Sequence, residues 1–265
     1  MLPRSERIIL IGSGSVATTL GLALYNSGHH IIEVVSRNRK HAELLGRQVN
    51  AAKTHTDFAG ISPYATLYII AVSDDAVEEV VQKMPAVDGL VVHTSGTVSS
   101  KVISSKYDRW GVFYPLQTFT PGRLLDFNKI PFLITCTGKK VEASLTDIAA
   151  SVGSTTHHMD DEGRRHLHVA AVMVNNFTNH LLALSEEYLK KQKLPPQILH
   201  ALAIETVAKA VSIGAGHSQT GPAQRGDQGT IDRHVEMLEK YGNPTLTQLY
   251  ILLSKSIMEF HDAHR

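Results

Sequence analysis

A short apolar strand, a glycine-rich turn and the start of a helix follow one another at the beginning of the chain. The apolar run Ile8–Ile11 is followed by Gly12, Gly14 and Ala17 in the pattern Gly-x-Gly-x-x-Ala. The first glycine permits a tight turn, the second lets the backbone approach a pyrophosphate, and Ala17 allows the helix to pack closely on the strand. The pattern therefore predicts a dinucleotide-binding turn, although such a turn can also simply join a strand to a helix.

The residues expected to bind the dinucleotide lie where predicted strands end. The first N–H groups of the helix after the turn have no partner within the helix, so they would face the phosphates. The predicted cofactor-binding residues are Gly12, Ser13, Gly14, Ser15, Val16 and Ala17 in the turn, Ser36, Arg37 and Asn38 after the second strand, and Val72, Ser73 and Thr94 after two later strands.

The end of the second predicted strand, His30–Val35, bears on the choice of cofactor. An NAD enzyme places an acid about 20 residues after the glycine turn, where it binds the ribose 2′-hydroxyl. Here Ser36 can donate a hydrogen bond, and Arg37 can form charge-assisted contacts with a 2′-phosphate. The sequence favours NADP over NAD. In the alternative interpretation, Arg37 belongs only to the solvated start of the next helix.

Composition limits the partners that the protein can have. The chain has 265 residues, enough for about two domains. Its 26 basic and 25 acidic residues give a net charge of +1, with no basic excess for nucleic acid or an anionic membrane. Cys136 is the only cysteine, and neither a secretory signal nor a membrane-spanning run is seen. We expect a cytoplasmic protein that binds neither nucleic acid nor membrane, and no metal site.

The pattern of elements changes near residue 158. Strands and helices alternate before it, which predicts an α/β domain over residues 1–157 with a doubly wound, Rossmann-like and mainly parallel sheet. After it, apolar residues repeat at intervals of three and four, which predicts an all-α domain over residues 158–265. The sequence also predicts a short third strand at Val49–Lys53 and an exposed, glycine-rich loop at Gly214–Asp227.

Polar residues at two places are candidates for substrate contact. Ser95 follows the predicted strand Leu90–His93, and ligands bind beyond the carboxyl ends of strands in open α/β sheets; Ser95 can equally be a turn or helix-cap residue. Asn175 and Asn179 lie in an otherwise apolar helical segment, where amides need partners in a substrate, a neighbouring helix end or another subunit. His180 is a candidate general acid because histidine titrates near neutral pH, and a structural role is its alternative.

Several segments together resemble one bacterial family. They are His93–Thr97, Gly111–Phe119, Leu167–Ala171, Asn175–His180, Glu205-Thr206 and Gln219–Ala223. As a set they are similar to the family in which a Rossmann-like domain precedes the domain of unknown function 2520, related to pyrroline-5-carboxylate reductase and the deazaflavin-dependent NADP reductases. The resemblance implies an N-terminal NADP domain and a helical C-terminal domain that commonly mediates dimerisation, and it names no substrate.

We therefore expect an NADP-dependent oxidoreductase that transfers hydride between nicotinamide and a C=O or C=N group of a small substrate in the interdomain cleft. Ser95, Asn175 and Asn179 would orient the substrate, with His180 as proton donor. The 3-hydroxyacid dehydrogenases of the broader superfamily use a helix lysine as the acid, followed four residues later by an asparagine, and residues 167–189 contain no lysine. Either Asn175 and Asn179 replace that pair, or the reaction needs no strong acid, as in the reduction of an already protonated imine. A homodimer is expected from the resemblance and from the long apolar helix faces. The alternative is a non-catalytic NADP-binding regulator or scaffold, because fold alone does not establish function.

Overall fold

The computed structural model describes residues 5–123 and 125–263. The chain divides into two compact units, of which the first ends at Asn175 and the second begins at Asn176. This division falls within a π-helical segment, Met173–Phe177. The functional domain boundary predicted between residues 157 and 158 stays a prediction.

The first unit contains an eight-stranded sheet. Its strands are β1 (Arg7–Ile11), β2 (His30–Val35), β3 (Lys53–His55), β4 (Leu67–Ile70), β5 (Leu90–His93), β6 (Trp110–Pro115), β7 (Phe132–Cys136) and β8 (Thr156–His158). They lie in the order β3-β2-β1-β4-β5-β6-β7-β8. Only β6 and β7 are antiparallel among these neighbouring pairs. The predicted mainly parallel sheet is confirmed.

Helices cover both faces of this sheet. They are α1 (Ser15–Asn26), α2 (Arg39–Gln48), α3 (Asp74–Lys83), α4 (Lys101–Ser104) and α5 (Gly138–Ser151), and α6 (Asp161–Val172) follows β8. Apolar residues of α1, α2 and α5 share one buried cluster with Leu10, whereas α3 and α4 share another with Ile9. Because successive strand residues point to opposite faces, both faces of β1 are buried, and its sequence is a continuous apolar run.

The register places the ends of β1, β2, β4 and β5 at one level, and the neighbouring β6 continues beyond this level to Pro115. Ile11 pairs with Val35 on one side and with Ile70 on the other, Ile70 pairs with His93, and His93 pairs with Val112. The residues that follow these strands therefore lie along one edge of the sheet. The chain builds outwards from β1 to β3 and then crosses to β4 on the other side of β1, so this edge contains the switch point at which open α/β sheets bind ligands.

The second unit is helical. It contains α7 (Thr178–Lys191), α8 (His200–Ile213), α9 (Ala215–Ser218), α10 (Pro222–Arg225), α11 (Gln228–Tyr241) and α12 (Pro244–Asp262). Helices α10, α11 and α12 pack together around Ala223, Ile231 and Leu238. No residue of α7 or α8 is buried. Within residues 5–123 and 125–263, no helix combines the length and the apolar character needed to cross a membrane.

Two elements differ from the sequence predictions. Strand β3 begins at Lys53 rather than Val49, because α2 continues to Gln48 and Val49 caps it, with its N–H bonded to the Leu45 carbonyl oxygen at 3.0 Å. The segment Gly214–Asp227 is not one open loop, since it contains α9 and α10. Gly214, Gly221 and Gly226 have positive φ angles at the ends of these short helices, which glycine adopts without steric cost.

Candidate functional site

The glycine turn between β1 and α1 is closely packed at its first glycine and open at its second. Gly12 has a φ of +119°, and a Cβ there would lie 2.1 Å from the Ala71 carbonyl oxygen. The Gly12 N–H also donates to the Val35 carbonyl oxygen at 2.8 Å. At Gly14 a Cβ would meet nothing within 4 Å. The chain thus passes between the ends of β2 and β4 and leaves space beside Gly14.

The beginning of α1 faces this space with its backbone donors available. Gly14 is the N-cap residue, no side chain caps the helix, and no acidic residue lies in its first turn. Ser13 and Ser15 are partly exposed beside it, whereas Ala17 is buried against the sheet. Unpaired N–H groups and the positive end of a helix dipole make such a terminus a binding site for a phosphate group.

The predicted cofactor residues after β2 lie beside the turn. The Oγ atoms of Ser13 and Ser36 are 2.6 Å apart. Arg37 is exposed and forms no ion pair with any residue that the structure describes. Asn38 has a structural task, because its Oδ1 accepts the His41 N–H at 3.2 Å and caps α2. The turn, a hydroxyl pair and an available cation are therefore adjacent.

The remaining predicted cofactor residues follow β4 and β5 on the same edge. Val72 lies beside the glycine turn, since a Cβ added at Gly12 would be 3.4 Å from Val72 Cγ1. Ser73 is the N-cap residue of α3, without a side-chain capping bond. Thr94 is buried, and its N–H donates to the Ile70 carbonyl oxygen at 3.1 Å. Contact of these three residues with a cofactor stays a prediction.

The acidic residue of β2 is used inside the protein. The Glu33 carboxylate is buried, accepts the Ser62 N–H at 3.1 Å and lies 3.3 Å from His55 Nε2. Because Glu33 is in mid-strand and has these partners, it does not supply the carboxylate that binds a ribose 2′-hydroxyl in NAD enzymes.

Ser95 forms a tight turn after β5. Its Oγ accepts the N–H groups of Thr97 at 3.1 Å and Val98 at 3.0 Å. Its own N–H donates to His93 Nδ1 at 3.2 Å. The turn role that the sequence left open is therefore present. Contact between Ser95 and a substrate stays a prediction.

His93 is held as a neutral ring at the end of β5. It is completely buried, and burial, together with the nearby positive charge of Arg164, lowers its pKa to about 4. Because Nδ1 accepts the Ser95 N–H, the neutral ring carries its proton on Nε2. This Nε2 has no hydrogen-bond partner among the described residues.

A buried arginine fixes the start of α6 to this region. Arg164 is 0% exposed, and its Nη1 donates to Thr135 Oγ1 at 2.9 Å. Its Nη2 donates to the Val98 carbonyl oxygen at 2.6 Å and to Asp161 Oδ1 at 2.8 Å. A buried guanidinium is tolerated only with such partners. Arg164 therefore links α6 to β7 and to the turn that contains Ser95.

Asp161 completes this network. Its Oδ2 accepts hydrogen bonds from Ser99 Oγ at 2.7 Å and from Ser100 N and Oγ at 2.8 and 3.0 Å. Burial by itself raises the pKa of Asp161, but the hydrogen bonds from Ser99 and Arg164 outweigh it and lower the pKa to about 2. The carboxylate is therefore ionised at neutral pH and balances the buried guanidinium.

A tyrosine and a histidine meet at the same edge. Tyr114 lies at the carboxyl end of β6 and His168 on α6, with Tyr114 Oη 3.1 Å from His168 Nδ1. A Cβ at Gly96 would lie 2.6 Å from His168 Nδ1 and 2.9 Å from Tyr114 Cζ. Sequence reasoning did not select either residue. The sequence features that point to this pair are Gly96, within the segment His93–Thr97, and a tyrosine at the end of a predicted strand.

The other predicted substrate residues are exposed. Asn175 lies in the π-helical segment at the end of the first unit, and Asn179 and His180 lie on α7 in the second unit. Single π-helical turns are frequent at functional sites, because they change the direction of side chains within a helix. The roles proposed for these three residues stay predictions. Over the described part of the chain, no group of three or more His, Cys, Asp or Glu residues could hold a metal ion.

Comparison with known proteins gives two family models. The family described as NADP oxidoreductase, coenzyme F420-dependent, matches residues 7–95, and the domain of unknown function 2520 matches residues 130–257. A comparison with curated proteins gives no match.

Three solved structures extend this result. BF3122 of Bacteroides fragilis, a candidate NADP oxidoreductase, is 39% identical, with a TM-score of 0.87 over 96% of this chain and 98% of that chain. A reductive aminase from Aspergillus terreus, in complex with NADPH4, cyclohexanone and allyl amine, is 16% identical, with a TM-score of 0.73 over 99% and 100%. A pyrroline-5-carboxylate reductase from Coxiella burnetii is 15% identical, with a TM-score of 0.58 over 98% of each chain.

The two more distant likenesses show the fold, whereas the match to BF3122 spans nearly all of both chains at a much higher identity. The predicted oxidoreductase family and the predicted cofactor, NADP, are confirmed by the family models and this match. The chain belongs to the family of NADP oxidoreductases in which a Rossmann-like domain precedes the domain of unknown function 2520.

Proposed function

We propose that this protein transfers hydride between the nicotinamide of NADP and the carbon of a C=O or C=N group in a small substrate. The cofactor supplies the hydride when it is bound, and the chain supplies binding, alignment and a proton. Two fold relatives support the class of substrate, since one is a reductive aminase and the other a pyrroline-5-carboxylate reductase.

The observation that carries the proposal is the open space at Gly14 in front of α1. A phosphate group there would meet N–H donors and no side chain, because a Cβ at Gly14 would have no neighbour within 4 Å. Residues Gly12–Ala17 would hold the pyrophosphate. Ser36 and Arg37 would bind the 2′-phosphate, with Asn38 supporting them, and Val72, Ser73 and Thr94 would line the path towards the nicotinamide.

For the substrate we retain the residues selected from the sequence. Ser95, Asn175 and Asn179 would orient it, and His180 is the candidate for the proton donor that the sequence offers. Support for Ser95 comes from its position directly beyond β5, on the edge that contains Gly12. Support for Asn175 comes from the π-helical segment, which interrupts the regular spacing of side chains on that helix.

The first test is a fluorescence titration of the purified protein with NADPH and with NADH, followed by NADPH oxidation with three probes. These probes are cyclohexanone, cyclohexanone with allyl amine, and pyrroline-5-carboxylate. We expect NADPH to bind at least about tenfold more tightly than NADH, as a charge-assisted contact to the 2′-phosphate would give. We also expect at least one probe to be reduced.

The outcomes separate the candidate functions. Failure of both nucleotides to bind would contradict the proposed cofactor site. Stoichiometric NADPH binding without oxidation, across a wider panel of ketones, aldehydes and imines, would instead indicate a non-catalytic NADP-binding regulator or scaffold.

A homodimer through the C-terminal helices is part of the proposal. Helices α7 and α8 bury none of their residues, and on α8 Ile204 and Val211 are 72% and 83% exposed. Exposed Val207 lies on the same face of the helix, three residues after Ile204 and four before Val211. Soluble monomers rarely expose a contiguous apolar surface of this kind, and a second copy of the chain would cover it.

Light scattering with size-exclusion chromatography tests this assembly. The protein should elute at twice the mass of the chain, and the double variant Val207→Asp, Val211→Asp should dissociate or fail to assemble. Glu236→Lys, an exposed change on α11, is the control and should leave the mass unchanged. A wild-type protein that remains monomeric at micromolar concentration would contradict the dimer.

We propose a cytoplasmic location, because Cys136 is a free thiol and reducing compartments keep thiols free. Cell fractionation with an antibody to the protein tests this. Recovery in a membrane or secreted fraction would contradict it.

A further inference from the structure

We propose that Tyr114 is the proton donor of the reaction and that His168 is the residue that positions its hydroxyl group and returns its proton. This inference rests on the proposed function, because it specifies which group completes the reduction of a C=O or C=N bond. It gives the role for which the sequence offers His180 to Tyr114 and His168, two residues within the first unit that sequence reasoning did not select.

The position of the pair in the fold supports this role. Tyr114 lies two residues beyond Val112, which pairs with His93 at the carboxyl end of β5. It therefore reaches the sheet edge where Gly12 and the open end of α1 also lie. Ligands of open α/β sheets bind along this edge. Tyr114 and His168 are each partly exposed, so a substrate atom can reach the hydroxyl group.

The turn after β5 holds the pair in place. Its Gly96 leaves no room for a Cβ, which would be 2.6 Å from His168 Nδ1. Asp161 fixes the segment that follows Gly96, because its carboxylate accepts hydrogen bonds from Ser99 and Ser100. Asp161 is also bonded to Arg164, which lies three residues later on α6. The contact of 3.1 Å between Tyr114 Oη and His168 Nδ1 is therefore made between two anchored elements. Catalytic groups need this kind of support.

The electrostatics favour a protonated phenol. Burial raises the pKa of Tyr114, and the nearby carboxylate of Asp74 raises it further, although the Arg164 charge acts in the opposite direction. The hydroxyl therefore keeps its proton at neutral pH, as an acid must. Asp74 is itself held by a hydrogen bond from Thr97 Oγ1.

Other polar groups of this region are less suited to give a proton. The guanidinium of Arg164 is completely buried and bonded to Asp161, Thr135 and a backbone oxygen. His93 is completely buried, and its lowered pKa of about 4 keeps it neutral. Tyr114 and His168 are accessible and already bonded to each other, which allows a proton to move between them.

The reaction balances as follows. The substrate carbon accepts a hydride, that is two electrons and one proton, from the bound reduced nicotinamide. The π electron pair of the C=O or C=N bond moves to the oxygen or nitrogen, which forms a bond to the proton of Tyr114 Oη. The Tyr114 oxygen then takes the proton of His168 Nδ1, while the His168 ring takes a proton from solvent at Nε2. The products are an alcohol or amine and the oxidised cofactor.

A spectroscopic experiment tests the position of Tyr114 without any substrate. Tyrosinate absorbance is titrated against pH for wild type and Tyr114→Phe, each with saturating NADP⁺ or NADPH, and the difference between the two proteins isolates Tyr114 from the other tyrosines. The oxidised nicotinamide is positively charged and should favour the tyrosinate. We expect the Tyr114 band to appear about one pH unit lower with NADP⁺ than with NADPH.

Tyr107→Phe is the matched control. The Tyr107 hydroxyl is also bonded, at 3.0 Å to the Pro85 carbonyl oxygen, but Tyr107 precedes β6 and so lies at the opposite end of that strand. Its removal should leave the cofactor-dependent difference unchanged. An identical Tyr114 titration with both forms of the cofactor would overturn the inference.

Kinetics test the proton transfer with whichever probe the enzyme reduces. Tyr114→Phe should lower kcat about 10²-fold to 10⁴-fold, the usual contribution of a general acid, with KM changed by less than about threefold. His168→Asn keeps a hydrogen-bonding atom near the Nδ1 position, so it should retain at least about tenfold more activity than His168→Ala. If His180 is the proton donor instead, as the sequence suggests, His180→Ala would abolish turnover and Tyr114→Phe would not.

The failure of this inference can be told apart from failure of the proposed function. If NADPH does not bind, both are overturned. If NADPH binds and probes are reduced but Tyr114→Phe has unchanged kcat, only the assignment of the proton donor is overturned. If NADPH binds and neither the three probes nor the wider panel is reduced, the proposed reaction fails, and the tyrosinate titration still decides whether Tyr114 lies beside the nicotinamide.

Discussion

The Oγ atoms of Ser13 and Ser36 lie 2.6 Å apart, which joins the glycine turn directly to the end of β2. This hydrogen bond sets the place of the next residue, Arg37, whose guanidinium is exposed and has no ion pair among the described residues. A dinucleotide whose pyrophosphate lies at Gly14 would extend its adenosine ribose towards this strand end. We therefore expect the choice between NADP and NAD to depend on Arg37.

Arg37→Ala should weaken NADPH binding by about 1.5–3 kcal/mol, the range of a charge-assisted hydrogen bond, and leave NADH binding nearly unchanged. Fluorescence titrations with both nucleotides measure this. Arg39→Ala is the control, because Arg39 is two residues away and already paired with Glu43 at 3.1 Å. Equal losses for NADPH and NADH would show that Arg37 does not contact the 2′-phosphate.

The two glycines of the turn should respond differently to alanine. Gly12→Ala forces a Cβ to within 2.1 Å of a backbone oxygen at a φ of +119°, so we expect it to lower the free energy of unfolding by about 3 kcal/mol or more. Gly14→Ala should change that free energy by about 1 kcal/mol or less, because its Cβ meets no protein atom within 4 Å. It should still weaken NADPH binding about tenfold or more, since the Cβ occupies the space proposed for phosphate.

Denaturant unfolding and NADPH titration of both variants decide this. A Gly14→Ala protein that binds NADPH like wild type would contradict the placement of the pyrophosphate. A Gly12→Ala protein of wild-type stability would contradict the close packing against Ala71.

The fold could be predicted because its signals are local. The apolar runs of β1, β4 and β5, the glycine turn and the caps of the helices are each contained within a few neighbouring residues. The short strand β3 was misplaced because its three residues become a strand only by pairing with β2. The helices α9 and α10 were missed because glycine and polar residues dominate their segment and indicate a loop.

The site could be predicted only in part, for the same reason. Gly12 and Ser36 belong to a pattern with known spacing, and the structure places Ser36 beside the turn. The pairing of Tyr114 with His168 joins residues 54 positions apart, and Arg164 bonds to a backbone oxygen 66 positions away. An arginine in a polar helix indicates a solvated face, and no periodic pattern reveals that this guanidinium is buried.

Asp161→Asn should lower the free energy of unfolding at pH 7 by about 2–4 kcal/mol, because buried Arg164 then loses its charged partner. The folded-state pKa of Asp161, about 2, lies below that of an unfolded aspartate, about 3.9. Its stabilisation is therefore complete above about pH 4 and is lost as the pH falls towards 2. Urea unfolding at pH 7 and pH 3 should show a smaller difference between wild type and variant at the lower pH.

Glu162→Gln is the neighbouring control. Because Glu162 is exposed, this substitution should change the free energy of unfolding by less than about 0.5 kcal/mol. A difference between wild type and Asp161→Asn that does not depend on pH would show that the ionised carboxylate is not the stabilising group.

His93 should cause a second loss of stability at a higher pH. Burial lowers the pKa of His93 to about 4, against about 6.5 for an unfolded histidine, so the ring stays neutral in the folded protein over a wider range of pH. The stabilisation is present above about pH 6.5 and is lost as the pH falls from 6.5 to 4, because the unfolded chain takes up the proton first. Between pH 6.5 and 4, the free energy of unfolding of wild type should fall by about 3 kcal/mol more than that of His93→Asn.

Asparagine is the appropriate replacement, because its Oδ1 can accept the Ser95 N–H in place of Nδ1. Urea unfolding at pH 7, 5 and 4 measures the difference between the two proteins. His29, whose pKa burial also lowers, is present in both and cancels from that difference. A parallel loss of stability in wild type and variant would mean that His93 becomes protonated within the fold, beside the buried charge of Arg164. Its pKa would then not be lowered by burial, which would contradict the prediction.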